Sequence, residues 1–375
     1  MSDETIKLEG TIIWLAPFYN RTGFGMDARG TVLALHRIGV KIKIVPVNNI
    51  EEGIDDVDLE LIKSLENTPI IPPITYIVSH VADKSWLQFK LPEPNLKIIA
   101  TTVIADVSSP PKNMLDACRE FDQVWVMSEH ERQVLITNGF LSEKIKIVWW
   151  PHPWIENSLI PVIKPEPTTY NMPFCFLNIS LFLPRRRWDT LIEAYLEEFK
   201  RGENVELYLK VNYPPWHPIP GKPKQDLLNL IQELRIKTGS EASIIIDDNL
   251  GKRTELINLI DSCNVYVSTD TAPTSPVAEA RARRRAVIIP NSYNYGADSY
   301  IGIDCDNSEK ISFSQEMLMY MPNHKDTLLS LLRVDNVRSA LRKAFNLSPE
   351  ERYQISEEFS HLLGPKETLP NIIDS

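Results

Sequence analysis

A chain of 375 residues that is 43% hydrophobic and 24% charged can bury two cores of ordinary size. Its formal net charge of −10 argues against a general nucleic-acid binder, which needs cations clustered over a whole face. Cys118, Cys175, Cys263 and Cys305 stand far apart with no CxxC pair, which excludes a zinc ribbon and a disulfide framework. The opening, MSDETIKLEG, is acidic where a signal peptide would be basic and then apolar, and no apolar run approaches the roughly 20 residues of a membrane span. The expected location is cytoplasmic, with room for peripheral contact at the inner face of a membrane.

Taken in chain order, apolar runs of strand length alternate with helix-period segments, the pattern of a parallel sheet covered on both faces. Strands are expected near Thr11–Ala16, Lys41–Pro46, Ile74–Ser79, Lys97–Ile104, Gln123–Met127 and Lys144–Trp149, within a first domain of residues 1–155. A linker over 156–173 follows, in a stretch where Pro151, Pro153, Pro161, Pro165, Pro167 and Pro173 forbid a regular element. The alternation resumes over 174–347 with strands near Phe174–Ile179, Val205–Val211, Ser243–Asp247, Val265–Ser268 and Ala286–Pro290. The tail, 348–375, begins with Ser348, Pro349 and Glu351, a capping pattern, and reads as one helix closed at Gly364–Pro365 that crosses back to the first domain. The fold class is α/β: two doubly wound Rossmann-like domains are expected to face across a cleft formed at the carboxyl ends of their strands.

Three turns carry the chemistry. In FCFLNISLFLPRRRWDTLIEAYLEEF, Phe174 to Phe199, a buried-strand pattern meets an amphipathic helix through three consecutive arginines. At such a strand-to-helix turn, cations and a helix N-terminus favour a phosphate, although arginine runs are commonly solvated surface. A second turn, NVYVSTDTAPTSPVAE, Asn264 to Glu279, places small residues and a prolyl turn before a helix carrying a glutamate, and the two together point to a nucleotide sugar. The third, WLAPFYNRTGFGMDARGTVLALHRIG, reads as a strand, a loop with Gly23 and Gly25, and a helix from about Met26 to Ile38. Glycines there permit positive φ or close approach to a phosphate, or simply a tight turn. It is a poor nicotinamide site: Ala28, three past Gly25, is permitted by the dinucleotide motif, but VPVN closes the next strand without the acidic residue that would bind the ribose.

On these segments the chain resembles the retaining glycosyltransferases of the GT-B fold, in particular glycosyltransferase family four, from Ile12 to about Leu363. LPRRRWDTLIEAYLEEF looks like that family's RKGWDxLLxAYxxEF segment, with Arg185 on its arginine and Arg186 on its lysine. The resemblance implies that this basic pair neutralises a donor diphosphate, and that the GFG segment is the glycine-rich donor loop. The family's E-x7-E signature keeps its second glutamate, which binds the ribose, as Glu279. Thr271 stands where the first glutamate would meet the donor sugar. Between them GFGLP becomes Ala272-Pro273-Thr274-Ser275-Pro276, so both glycines are lost and Pro276 stays; Arg284 and Ala286 are further departures. Threonine accepts fewer hydrogen bonds than carboxylate and carries no charge. Asp270, next to it, is a substitute only if its side chain turns the same way, against strand alternation.

His80 ends ITYIVSH where a family histidine near the donor sugar is often found, or is an ordinary capping histidine. Asp106, after KIIATTVIA, is a candidate on the acceptor side, and His152, between two prolines, is expected to be structural. Lys210 ends VELYLK and either meets a base or phosphate or is a solvated strand-end lysine. Arg281, Arg283, Arg284 and Arg285 are expected at the far end of the Glu279 helix, where cations complement the dipole, with a membrane or partner-protein contact as the other reading. The implied function is metal-independent, retaining hexosyl transfer from a UDP- or GDP-sugar to a glycan, lipid-linked or protein acceptor. Ser275, Pro276 and the two glycines would join the donor contacts, and no cofactor beyond the nucleotide sugar is called for. The alternative is a catalytically degenerate GT-B subunit that binds another glycosyltransferase.

Overall fold

The structure, a computed structural model, describes residues 10–20, 22–47, 59–89, 96–102, 110–148, 172–214, 216–249, 251, 253–270, 275–291, 300–321, 324–325 and 327–357. These divide into two compact units, 10–148 and 172–357.

The first unit is a parallel sheet of β1 (Thr11–Ala16), β2 (Ile42–Pro46), β3 (Ile74–Val78), β4 (Lys97–Thr101), β5 (Gln123–Val126) and β6 (Ile145–Ile147). Their order across the sheet is β2-β1-β3-β4-β5-β6. The helices are α1 (Gly23–Arg37), α2 (Leu59–Leu65), α3 (Lys112–Cys118) and α4 (Glu129–Thr137). β1 is apolar almost throughout because it lies inside the sheet, and Trp14, Ala16, Ile42, Ile44, Ile77 and Ile99 pack with Ala28, Val32 and Leu35 of α1. At the start of α4, Ser128 accepts from the Glu131 amide at 3.2 Å while the Glu131 carboxylate takes the Met127 amide at 2.6 Å, which satisfies two donors that the helix leaves over.

In the second unit the strands are β7 (Phe174–Leu181), β8 (Val205–Asn212), β9 (Ser243–Asp247), β10 (Val265–Val267), β11 (Ala286–Pro290) and β12 (Ile301–Ile303), ordered β12-β11-β10-β7-β8-β9 and all parallel. Renumbered within the unit this is 6-5-4-1-2-3, the order of a dinucleotide-type Rossmann sheet. Helices α5 (Trp188–Glu198), α6 (Lys222–Thr238), α7 (Arg253–Ser262), α8 (Ser275–Ala282), α9 (Gln315–Tyr320), α10 (Val334–Asn346) and α11 (Pro349–Glu357) complete it, with an antiparallel pair of β13 (Asp306–Ser312) and β14 (Leu328–Leu331). The core packs Phe176, Leu207 and Val265 with Leu191, Tyr195 and Phe199 and with Val337, Leu341 and Ala344 of α10. Each aliphatic side chain removed from water there contributes about 1.5–3 kcal/mol. Buried Tyr195 keeps its hydroxyl satisfied by donating to the Ser243 carbonyl at 2.8 Å.

The strand expectations hold to within a few residues. One helix boundary and three strands differ: α1 begins at Gly23 rather than near Met26, and β12, β13 and β14 had no strand expectation. The tail helix is capped as anticipated, Ser348 and Glu351 exchanging backbone bonds at 2.7 and 3.2 Å. Its described turns belong to the second unit, where the Ser356 hydroxyl donates to the Arg284 carbonyl at 3.1 Å; residues 358–375 and the 156–171 part of the linker lie outside the described residues.

Candidate functional site

The strand order of the second sheet reverses between β7 and β10, the place where an open α/β sheet forms its ligand crevice. β7 runs into a single 3-10 turn, Pro184–Arg186, and Arg187 adopts a left-handed conformation, φ 51°, that swings the chain into α5. This divides the arginine triplet. Arg187 folds back on its own helix, donating to the Thr190 hydroxyl at 2.9 Å and pairing with Asp189 at 3.4 Å. Arg185 and Arg186 converge on Asp270 at the end of β10: Arg185 Nη1 donates to Oδ1 at 2.9 Å, and Arg186 Nη1 pairs with Oδ2. Asp270 is only 3% exposed. Beneath it the Thr269 hydroxyl donates to the Arg186 carbonyl at 2.7 Å, and Asn178 of β7 donates to the Val267 carbonyl at 2.7 Å. Side chains and main chain of the arginine turn are thus fastened to the end of β10.

Glu279 lies in α8, buried, with Ser275 and Pro276 in that helix's first turn. Fully buried Tyr266 has its hydroxyl pushed well up by burial, while Arg186 pulls it down and Glu279 pushes it up. Tyr266, on β10, therefore feels both charges. Its hydroxyl donates to the Ile179 carbonyl at 3.0 Å, on the strand that leads to the arginines.

Lys210 pairs in register with Ile179 across β7 and β8. Its ammonium donates to Asp247 Oδ2 at 2.9 Å and to the Asn249 carbonyl at 2.5 Å, so it is a buried ion-pair member and not a solvated lysine. Burial would raise the Asp247 carboxyl, but Lys210, the Asn249 amide and Tyr208 outweigh it and hold it below the usual range. His324, between α9 and β14, was not anticipated, because the stretch around it has no periodicity to mark it. Burial, with Arg185 adding repulsion, lowers its imidazole to about 4.

In the first unit the strand order reverses between β1 and β3, and His80 meets the anticipated glycine segment through a residue that was not itself a candidate. Phe24, between Gly23 and Gly25, stacks on His80 with ring centroids 4.3 Å apart. His80 is left-handed at φ 58°, its amide donating to the Thr101 hydroxyl at 3.1 Å. Such a backbone conformation costs free energy for a non-glycine residue and tends to occur at functional sites. Burial lowers its imidazole to about 4, against a smaller opposite effect of the Phe24 backbone. Gly23 and Gly25 do not form a loop, which corrects the sequence expectation: they sit in the first turn of α1. Gly25 is required there by its own chain, since a Cβ would lie 2.1 Å from the Asn20 carbonyl oxygen and 2.8 Å from that of Pro17. Buried Arg29 holds the same turn, donating to the Asn20 carbonyl at 2.9 Å.

Asp106, Thr271 and His152 lie outside the described residues. The basic run after Glu279 is largely internal: Arg281, Arg283 and Arg285 are buried, Arg283 and Arg285 share Asp261, and Arg284 lies over the Tyr353 ring at 5.5 Å. One acidic pair was overlooked, Asp304 and Asp306 at D-x-D spacing after β12; the Asp304 carboxylate accepts from Asn291 at 2.7 Å. Among the described residues no three acidic, histidine or cysteine side chains cluster as metal ligands would, and no helix is long and apolar enough to cross a membrane.

No family model matches the chain, nor does any curated protein. Solved structures do. An α,α-trehalose-phosphate synthase (UDP-forming) from Burkholderia xenovorans, in complex with glucose-6-phosphate, aligns over 97% of this chain and 100% of its own at TM-score 0.63 and 9% identity. HepE from Anabaena, in complex with UDP and glucose, aligns over 97% of both chains at TM-score 0.54 and 12% identity. TarM of S. aureus, crystallised with UDP, gives TM-score 0.51 and 13% identity over 80% of this chain and 55% of TarM, so the chain spans about half the length of that protein. Across such low identities what is shared is the two-domain GT-B fold, which this chain builds as two Rossmann-like units, each on a six-stranded parallel sheet.

Proposed function

We propose that this chain is a glycosyltransferase that takes its sugar from a nucleotide-sugar donor and transfers it with retention of anomeric configuration. The observation that carries the reading is the convergence of Arg185 and Arg186 at the β7/β10 switch point, with Glu279 buried in α8, the helix that follows β10. When the bond to the diphosphate breaks, negative charge grows on the leaving oxygen, and guanidinium groups fixed by the fold stabilise it without reorganising. The N-termini of α5 and α8, which follow β7 and β10, add partial positive charge at the same sheet edge. With two guanidiniums supplying the cationic charge, the step does not call for a metal. Glu279 would take the ribose, and Thr271 the sugar. UDP accompanies both HepE and TarM in their structures, which favours a uridine nucleotide over a guanosine one.

Titration of wild-type protein with UDP and GDP in the presence of EDTA tests this. A ligand that binds only the native state raises the melting temperature by mass action. Arg186→Ala and Glu279→Ala are each expected to cut that shift; no response to either nucleotide at millimolar concentration would overturn the reading. A second reading, a GT-B subunit that keeps the nucleotide site without chemistry, is favoured by one observation, Thr271 in place of the sugar-facing glutamate. It predicts binding of UDP without release of diphosphate from any donor.

A further inference from the structure

We infer that Asp270 is the positioning residue of the donor site, a buried counter-ion that holds Arg185 and Arg186 at a fixed separation to receive a diphosphate; this rests on the donor reading above. Arg185 and Arg186 are adjacent in sequence, and their side chains are each 15% exposed. Two flexible cations so placed would repel and spread. The geometry prevents this by giving each guanidinium one oxygen of the same carboxylate, Oδ1 to Arg185 at 2.9 Å and Oδ2 to Arg186. Because the carboxylate is planar and buried at a strand end, it fixes both the distance between the guanidiniums and their tilt. Its own position is fixed in turn: the Asp270 amide donates to the Ser268 hydroxyl at 3.2 Å, and the Thr269 hydroxyl grips the carbonyls of Arg186 and Arg187 at 2.7 and 3.3 Å. A guanidinium has five N–H donors in a planar fork, so a bond from one Nη does not use up its capacity for phosphate. The role differs from the one suggested by adjacency to Thr271, that Asp270 replaces the missing glutamate at the sugar: its carboxylate is committed to the arginines.

The test is the affinity of wild type, Asp270→Asn, Asp270→Glu and Arg186→Ala for UDP and for uridine, by calorimetry, with the melting temperature of each protein recorded. Positioning predicts that Asp270→Asn loses about ten-fold in UDP affinity, the order of one charge-assisted hydrogen bond, even though the site becomes more positive. Uridine binding should be unchanged, and Asp270→Asn should have little further effect in the Arg186→Ala background. Asp270→Glu keeps the charge but moves the carboxylate, so it should also weaken UDP, and it serves if the asparagine variant fails to fold. Unchanged or tighter UDP binding by both Asp270 variants, or equal losses for UDP and uridine, would overturn the inference while leaving the donor site standing. Wild-type protein that binds neither UDP nor GDP would remove both.

Discussion

His80 combines two properties that seldom occur together, a left-handed backbone and a ring kept neutral by burial. Its folded value of about 4 lies below the ordinary 6.5, so the unfolded chain takes up the proton first. Its contribution to stability is therefore whole above about pH 6.5 and is lost as pH falls toward about 4, and His324 adds a loss over the same interval. His80→Asn removes one of the titrating rings while keeping a side chain that tolerates positive φ. The variant should show a smaller fall in melting temperature between about pH 7 and about pH 5 than wild type; an identical fall would mean that His80 is protonated freely in the folded state. Gly25 makes the complementary point about space. Gly25→Ala drives a methyl group into main-chain oxygens that cannot rotate away, so a cost of about 3 kcal/mol is expected in a denaturant titration, with α1 displaced from the Pro17–Asn20 turn.

At the scale of elements, α11 depends on its first turn. Ser348 and Glu351 satisfy each other's amides, and Arg352 over the Phe174 ring at 4.9 Å and Tyr353 beneath Arg284 fix the helix to the second unit. Ser348→Ala should cost about 1 kcal/mol and speed amide exchange in Pro349–Glu357 more than in α10, since a lost cap acts on its own helix first. These elements also show what could be read beforehand. β1 and β11 were placed to the residue because a strand buried on both faces needs an unbroken apolar run, and TIIWLA and AVIIP supply one; β9, SIIID, was placed by its three isoleucines although it is half-buried at the sheet edge. β12 has three residues, and β13 reads DNSEKIS, too polar to mark as a strand; neither pattern differs from a loop. The start of α1 was misplaced because Thr22 makes no side-chain cap and glycine is normally a helix breaker, yet tight packing on the preceding turn makes glycine the residue that fits. Arg185, Arg186 and Glu279 were singled out from their place at strand-to-helix turns. The carboxylate that joins the arginines was not, because residues 185 and 270 become neighbours only when β7 pairs with β10.

For the molecule as a whole, the residues proposed to hold the nucleotide all belong to the second unit, whereas His80 belongs to the first. Effects on the nucleotide should therefore separate by unit: Glu279→Ala should weaken UDP, whereas His80→Asn should leave UDP affinity unchanged. Thr271 decides what kind of molecule this is. It stands eight residues before Glu279, and on the proposed donor reading a hydroxyl in place of the carboxylate at the sugar would change what the sugar encounters and leave the nucleotide contacts alone. If the change is an adaptation to an unusual donor, Thr271→Glu should reorder a panel of nucleotide sugars while UDP affinity stays nearly constant. If it is a loss, wild type should bind nucleotide sugar no better than nucleotide and release no diphosphate. The measurement is turnover of one donor panel by wild type and Thr271→Glu side by side, read as released nucleoside diphosphate. Wild-type turnover abolished by Thr271→Glu identifies an enzyme with a shifted donor preference, whereas turnover that appears only in the glutamate variant identifies a chain that has kept the nucleotide site and given up the reaction.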